Sequence, residues 1–197
     1  MAYPIQTARP SRRSNVTAKT KYSYYKQELR EDFLSRCGYC DTLDFFSGGR
    51  RGFHIDHFAP KSIFDALKNS YGNLIYCCPI CNMGKSDDWP GTDPLVSFVG
   101  DIGYVDPCDP KYHDHLERDT SGKIIAKTAL GSYIHRKLKL NLRRRQLCWL
   151  LERMESQLEQ LRTMLKNKNY SGDPSEIEAF CKLQENYFRY LGILKVE

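Results

Sequence analysis

The sequence predicts an α+β chain. A compact, cysteine-rich segment of short strands and loops is expected between an N-terminal helix and a C-terminal α-helical hairpin. Three observations predict this: two Cys-x-x-Cys pairs flanking a Gly- and aromatic-rich insert, a helical apolar period from Tyr22, and a long apolar stripe beyond Tyr133. The chain has 197 residues, 30 Lys or Arg against 24 Asp or Glu, a net charge of +6, 41% apolar and 27% charged residues. That balance is ordinary for a soluble protein able to bury a core. No apolar run approaches the ~20 residues of a membrane span, and the N-terminus lacks the apolar stretch of a signal peptide. A cytoplasmic location without a membrane partner is therefore expected. In such a setting, eight cysteines point to metal binding or catalysis, not disulfides.

Residues 1–36 carry eight Lys or Arg and three acids. Arg9-Pro-Ser-Arg-Arg-Ser14 has little apolar content and reads as a flexible basic arm. Tyr22, Tyr25, Leu29 and Phe33 then fall at steps of three and four, predicting a helix that delivers the chain to Cys37. Residues 37–90 read as short strands and loops closing on a short helix. Residues 91–132 read as a connecting loop and a β-hairpin turning at Asp119-Thr-Ser-Gly122. From residue 133 to 197 a helical hairpin is expected. Leu140, Leu147, Leu151, Met154, Leu158, Leu161 and Leu165 form its first stripe. A break at residues 169–173 leads to Asp173, Pro174 and Glu176 as N-cap, first-turn proline and capping-box acid. Ile177, Phe180, Tyr187, Leu191 and Leu194 form the second stripe.

Cys37-Gly-Tyr-Cys40 and Cys78-Pro-Ile-Cys81 can each offer two thiolates from a tight turn. Together they complete a tetrahedral zinc site. Four thiolates leave no open position for water, so the zinc would be structural, stapling a segment too small to bury its own core. Cys77 is out of register with its pair. Cys108, Cys148 and Cys181 are expected to be buried small apolar side chains.

The insert between the pairs contains His54-Ile-Asp56-His57-Phe-Ala-Pro60-Lys61 and Tyr71-Gly-Asn73-Leu74; Asn82 and Lys85 follow the last cysteine. On a strand, His54 and Asp56 share a face and His57 points the other way. Asp56 and Asn82 could share an oxygen-liganded cation while His57 accepts a proton from water. Lys85 could meet a phosphate as a point charge. His54 could touch phosphate, stand behind the metal, or pack. Arg50 and Arg51 could contact phosphate or form a solvated loop tip. His113 and His115 beside Asp114 suggest a solvated loop more than a second metal cluster. The basic run 135–145 holds six Lys or Arg and no acid, and a helix there would offer one side to a nucleic-acid backbone.

The order Cys-x-x-Cys, His-Ile-Asp-His, Asn-Leu, Cys-x-x-Cys-Asn-x-x-Lys, over residues 37–86, resembles the HNH endonuclease family. The resemblance implies a ββα-metal fold with treble-clef zinc. It further implies Asp56 and Asn82 as ligands of a divalent cation, Mg²⁺ or Mn²⁺, His57 as general base, and Asn73 as the residue that orients it. Asn82 occupies the third motif position, where some members carry His. More loosely, Tyr104-Val-Asp-Pro-Cys-Asp-Pro110, Gly122-Lys-Ile124 and Leu138-Lys-Leu-Asn141 are similar to HNH proteins of bacterial anti-phage systems. That similarity implies a defence effector with an ATPase or other protein partner on the helical hairpin. DNA is the implied substrate, with RNA also open. The competing reading is a non-catalytic, zinc-dependent nucleic-acid-binding or assembly module.

Overall fold

The computed structural model describes residues 2–169 and 173–196. It divides into two compact units at Leu142/Arg143. The first unit contains, in order, β1 (Tyr3–Pro4), α1 (Lys26–Asp32), α2 (Gly49–Gly52), β2 (His54–His57), β3 (Leu74–Cys77), α3 (Pro79–Lys85), β4 (Phe98–Val99), β5 (Ile102–Gly103), α4 (Tyr112–His115), β6 (Leu116–Arg118), β7 (Ile124–Ala126) and α5 (Ala129–Lys137). The second contains α6 (Arg143–Asn167) and α7 (Pro174–Leu194).

Three small antiparallel sheets organise the first unit: β1-β6-β7, the β2-β3 pair and the β4-β5 pair. Their strands are too short to stand alone, and the shared core supplies what they lack. Leu29 of α1 and Phe33 just after it, Phe53 just before β2, Leu74 and Tyr76 of β3, Leu116 of β6 and Ile134 of α5 are all buried in one cluster. The predicted period from Tyr22 is realised as a 3-10 turn over Tyr22–Tyr25 running into α1, with Tyr25, Leu29 and Phe33 inward.

The β2-β3 ladder pairs His54 with Cys77, Ile55 with Tyr76, Asp56 with Ile75 and His57 with Leu74. Gly38 holds the first knuckle against this pair. Its N–H donates to the Tyr76 carbonyl at 2.9 Å, and a Cβ there would lie 2.7 Å from the Phe33 ring. At the second knuckle, Pro79 opens α3 and the Cys78 sulfur accepts from the Cys81 N–H at 3.4 Å. The helix therefore starts at the Cys78–Cys81 turn itself.

Several expectations are corrected. Residues 9–14 are no free arm. Arg12 forms a two-pronged pair with Asp106 at 2.9 and 3.2 Å and donates to the Leu74 carbonyl, while Arg13 pairs with Glu31 and Asp32. A polar composition suggested disorder, but these arginines find carboxylates distant in sequence. Arg12→Ala is expected to lower the stability of this unit by about 2 kcal/mol, read as a lower urea midpoint.

The helix expected from Tyr133 is interrupted. α5 ends in a Schellman closure: the Leu140 N–H reaches the His135 carbonyl, the Lys139 N–H reaches that of Arg136, and Lys139 takes φ +51°. Leu138 and Leu140 consequently belong to the first unit's core, and the boundary moves from residue 133 to 142. The basic run 135–145 is thereby divided between α5, the turn after it and the start of α6. His135 Nε2 donates to the Ile124 carbonyl at 2.9 Å, Lys137 pairs with Asp88, and Arg145 is buried.

In the second unit α6 and α7 pack as an antiparallel hairpin. Arg144 meets the Leu194 carbonyl at one end and Lys168 meets Glu176 at the other. Asp173, Pro174 and Glu176 form the expected capping box. Residues 170–172 of the expected break lie outside the described residues. Cys148 is buried and Cys108 half-buried, but Cys181 is exposed on α7, against expectation.

Candidate active site and metal centre

The two knuckles bring the sulfurs of Cys37, Cys40, Cys78 and Cys81 within 4.8 Å of one another, all buried. A tetrahedral zinc with ~2.3 Å bonds would separate its sulfurs by about 3.8 Å; Cys40 and Cys78 are 3.9 Å apart. The donor set and spacing suit zinc, and the four cysteines form a site that can hold it. Burial drives the Cys37 thiol well up, while hydrogen bonding from Cys37 lowers Cys78. A bound cation would let all four ionise together. Among the described residues this is the sole cluster of three or more such donors. His113 and His115 sit in the short α4 and form no second centre. His115 Nδ1 instead lies 2.7 Å from Thr128 Oγ1.

Beside the knuckles, β2, α3 and the loop after β2 enclose a cleft of about 670 Å³. His54, Asp56, His57 and Asn82 all line it. His57 is 5% exposed, and its Nε2 lies 2.9 Å from the Lys68 carbonyl. A carbonyl only accepts, so Nε2 carries the proton and Nδ1 keeps the lone pair. Tyr22 packs edge-on against the ring at 4.6 Å. Burial lowers the His57 pKa below its ordinary value; the Lys68 carbonyl partly opposes this, and the charges of Lys61 and Lys85 add to it.

Asp56 is also buried, and burial raises its pKa. Lys85, the Tyr39 hydroxyl and the His57 N–H counter that effect. Asn82 donates from Nδ2 to His54 Nδ1 at 3.1 Å, which leaves Oδ1 as its acceptor. A carboxylate and an amide oxygen are hard donors of the kind Mg²⁺ or Mn²⁺ takes, with water completing the shell.

Two sequence expectations change here. Lys85 is fully buried: Nζ donates to the His57 carbonyl at 3.1 Å and lies 3.7 Å from Asp56. It cannot meet a phosphate, because one turn of α3 turns it inward under β2. The Asn73 side chain makes no hydrogen bond to His57. It accepts from the Ala59 N–H and donates to the Ala59 carbonyl, closing the base of the loop that carries Lys68. The direct contact on His57 is a backbone carbonyl, which no side-chain pattern announces. Arg51 lines the cleft, whereas Arg50 is exposed and reaches Gln27 at 3.4 Å. Lys26 and Lys61, to which the sequence assigned no role, also line it. Tyr39 escaped notice as well, being an ordinary-looking residue inside a knuckle.

A ββ-pair running into a helix, bracketed by four cysteines that can hold a metal, with Asp56 meeting the helix at Lys85 and His57 lining the cleft beside it, defines a metal-site class of domain. Residues 37–88 match the family model of HNH endonuclease, a family of nucleases and nucleic-acid-binding domains. No curated protein and no solved structure matches the chain. Among the described residues, no helix is long and apolar enough to cross a membrane.

Proposed function

We propose that the chain is a metal-dependent HNH endonuclease that hydrolyses phosphodiester bonds of DNA, with treble-clef zinc holding the fold. The observation that carries this reading is a buried His57 with Nδ1 as its free acceptor, lining one cleft with Asp56 and Asn82. His57 takes the proton of the attacking water at Nδ1 and passes positive charge towards the Lys68 carbonyl. Asp56 and Asn82 hold the cation, which when bound neutralises charge on the phosphoryl and leaving oxygens. Lys26, Arg51 and Lys61 draw the polyanionic backbone to the cleft, and His54 keeps the Asn82 amide turned. The defence setting, with an ATPase or other protein on the α6–α7 hairpin, rests on the flanking resemblance and is tested by co-purification with the neighbouring gene product.

The test of the activity is incubation of the purified chain with plasmid and with single-stranded RNA, under Mg²⁺ or Mn²⁺ and under EDTA. Cleavage that requires the divalent ion supports the proposal. Salt-sensitive binding without cleavage under any divalent ion would favour the non-catalytic module. The pH profile gives a second check. A general base works only when unprotonated, and burial holds His57 below its usual value of about 6.5. The acidic limb of kcat/KM is therefore expected below that value, and half-activity at pH 7 or above would contradict the assignment.

A further inference from the structure

Asp56 is held from two sides through the same oxygen. The Tyr39 hydroxyl donates to Oδ2 at 2.6 Å, and Lys85 Nζ lies 3.7 Å from it. Tyr39 is fully buried and sits inside the Cys37-Gly-Tyr39-Cys40 turn, between the two thiols that turn delivers. The turn is fixed in its own right: Gly38 donates to Tyr76, and the Tyr112 hydroxyl donates to the Tyr39 carbonyl at 2.7 Å. A phenylalanine would fill the same volume, so what the tyrosine adds is a hydroxyl whose partner is the carboxylate.

We propose that Tyr39 is a positioning residue that couples the four-cysteine centre to the cation site. With Oδ2 taken by the phenol and faced by the ammonium, Oδ1 is the oxygen that Asp56 would offer a divalent cation, and a formed knuckle would be required to present the carboxylate that way. The proposal rests on the reading of Asp56 and Asn82 as cation ligands. It gives the zinc centre a second role. Besides stapling the chain, the centre sets the affinity of the neighbouring site for Mg²⁺ or Mn²⁺. A group that holds a ligand from behind typically changes metal affinity by about 10–100-fold when removed.

The test is Mn²⁺ binding to the full chain by electron paramagnetic resonance, without nucleic acid, for wild type, Tyr39→Phe and Asp56→Asn, with zinc content measured alongside. Tyr39→Phe is expected to keep its zinc while the Mn²⁺ Kd weakens about 10–100-fold. The divalent concentration for half-maximal cleavage should rise in parallel, with the rate recovering at saturating cation; a general packing defect would not be rescued by cation. Asp56→Asn is expected to lose Mn²⁺ binding. Unaltered Mn²⁺ affinity in Asp56→Asn would overturn the cation-site reading itself. Weak binding by Asp56→Asn with wild-type affinity in Tyr39→Phe would overturn the coupling alone. Loss of zinc from Tyr39→Phe would also overturn it, assigning the hydroxyl to folding of the knuckle.

Discussion

Cys78→Ser is expected to abolish the cooperative thermal transition of the first unit and to strip its zinc. Structural zinc contributes about 10–16 kcal/mol of binding free energy that is simultaneously folding free energy. A whole domain is typically stable by only about 5–15 kcal/mol. Cys78 is also the N-cap of α3; serine can keep that cap, so the substitution removes the thiolate while the helix that carries Asn82 and Lys85 keeps its starting acceptor. The buried sulfurs of Cys37, Cys40 and Cys81 would be left around an incomplete shell. Cys181→Ser, at an exposed position on α7, should leave zinc content and the melting temperature unchanged. Metal analysis and a thermal melt of both variants check this. A Cys78→Ser protein that melts like wild type would remove the zinc staple from the account.

His57→Ala is expected to reduce the cleavage rate by about 10²–10⁴-fold, the typical contribution of general-base catalysis. Alanine also removes the ring packed against Tyr22 and the hydrogen bond to Lys68, so part of any loss could come from loosening of the loop. His57→Gln separates the two effects: its amide reaches the place of Nε2 and can still donate to the Lys68 carbonyl, but it offers no basic nitrogen. Both variants should lose activity to a similar degree while keeping zinc. If His57→Gln kept near wild-type rates, the ring would be a packing element and the base would lie elsewhere.

Much of the site was legible because its parts lie close in sequence and carry distinctive side chains. Two Cys-x-x-Cys pairs encode a four-sulfur cluster by spacing alone, and β2 places Asp56 and His57 on the ladder beside Leu74 and Ile75. α7 was legible from its capping box. What escaped the sequence depends on distant partners or on backbone. Arg12 and Arg13 looked like a free arm until folding set Asp106, Glu31 and Asp32 beside them. Lys139 closes α5 in a left-handed conformation that glycine usually supplies, so the stripe appeared to run on through Leu140. Lys85 looked like a surface charge because its partner, Asp56, comes from another element. Lys68 acts on His57 through its carbonyl, and every residue has one.

The central claim is that His57 drives divalent-dependent hydrolysis at the cleft between β2 and α3. Its most direct test is single-turnover cleavage of supercoiled plasmid by wild type and His57→Gln at matched zinc content, with Mg²⁺ or Mn²⁺ and with EDTA. Nicked or linear product from wild type with the cation, none under EDTA, and a rate at least about 10²-fold lower for the variant are the predicted results. Cutting by His57→Gln at the wild-type rate would contradict the account.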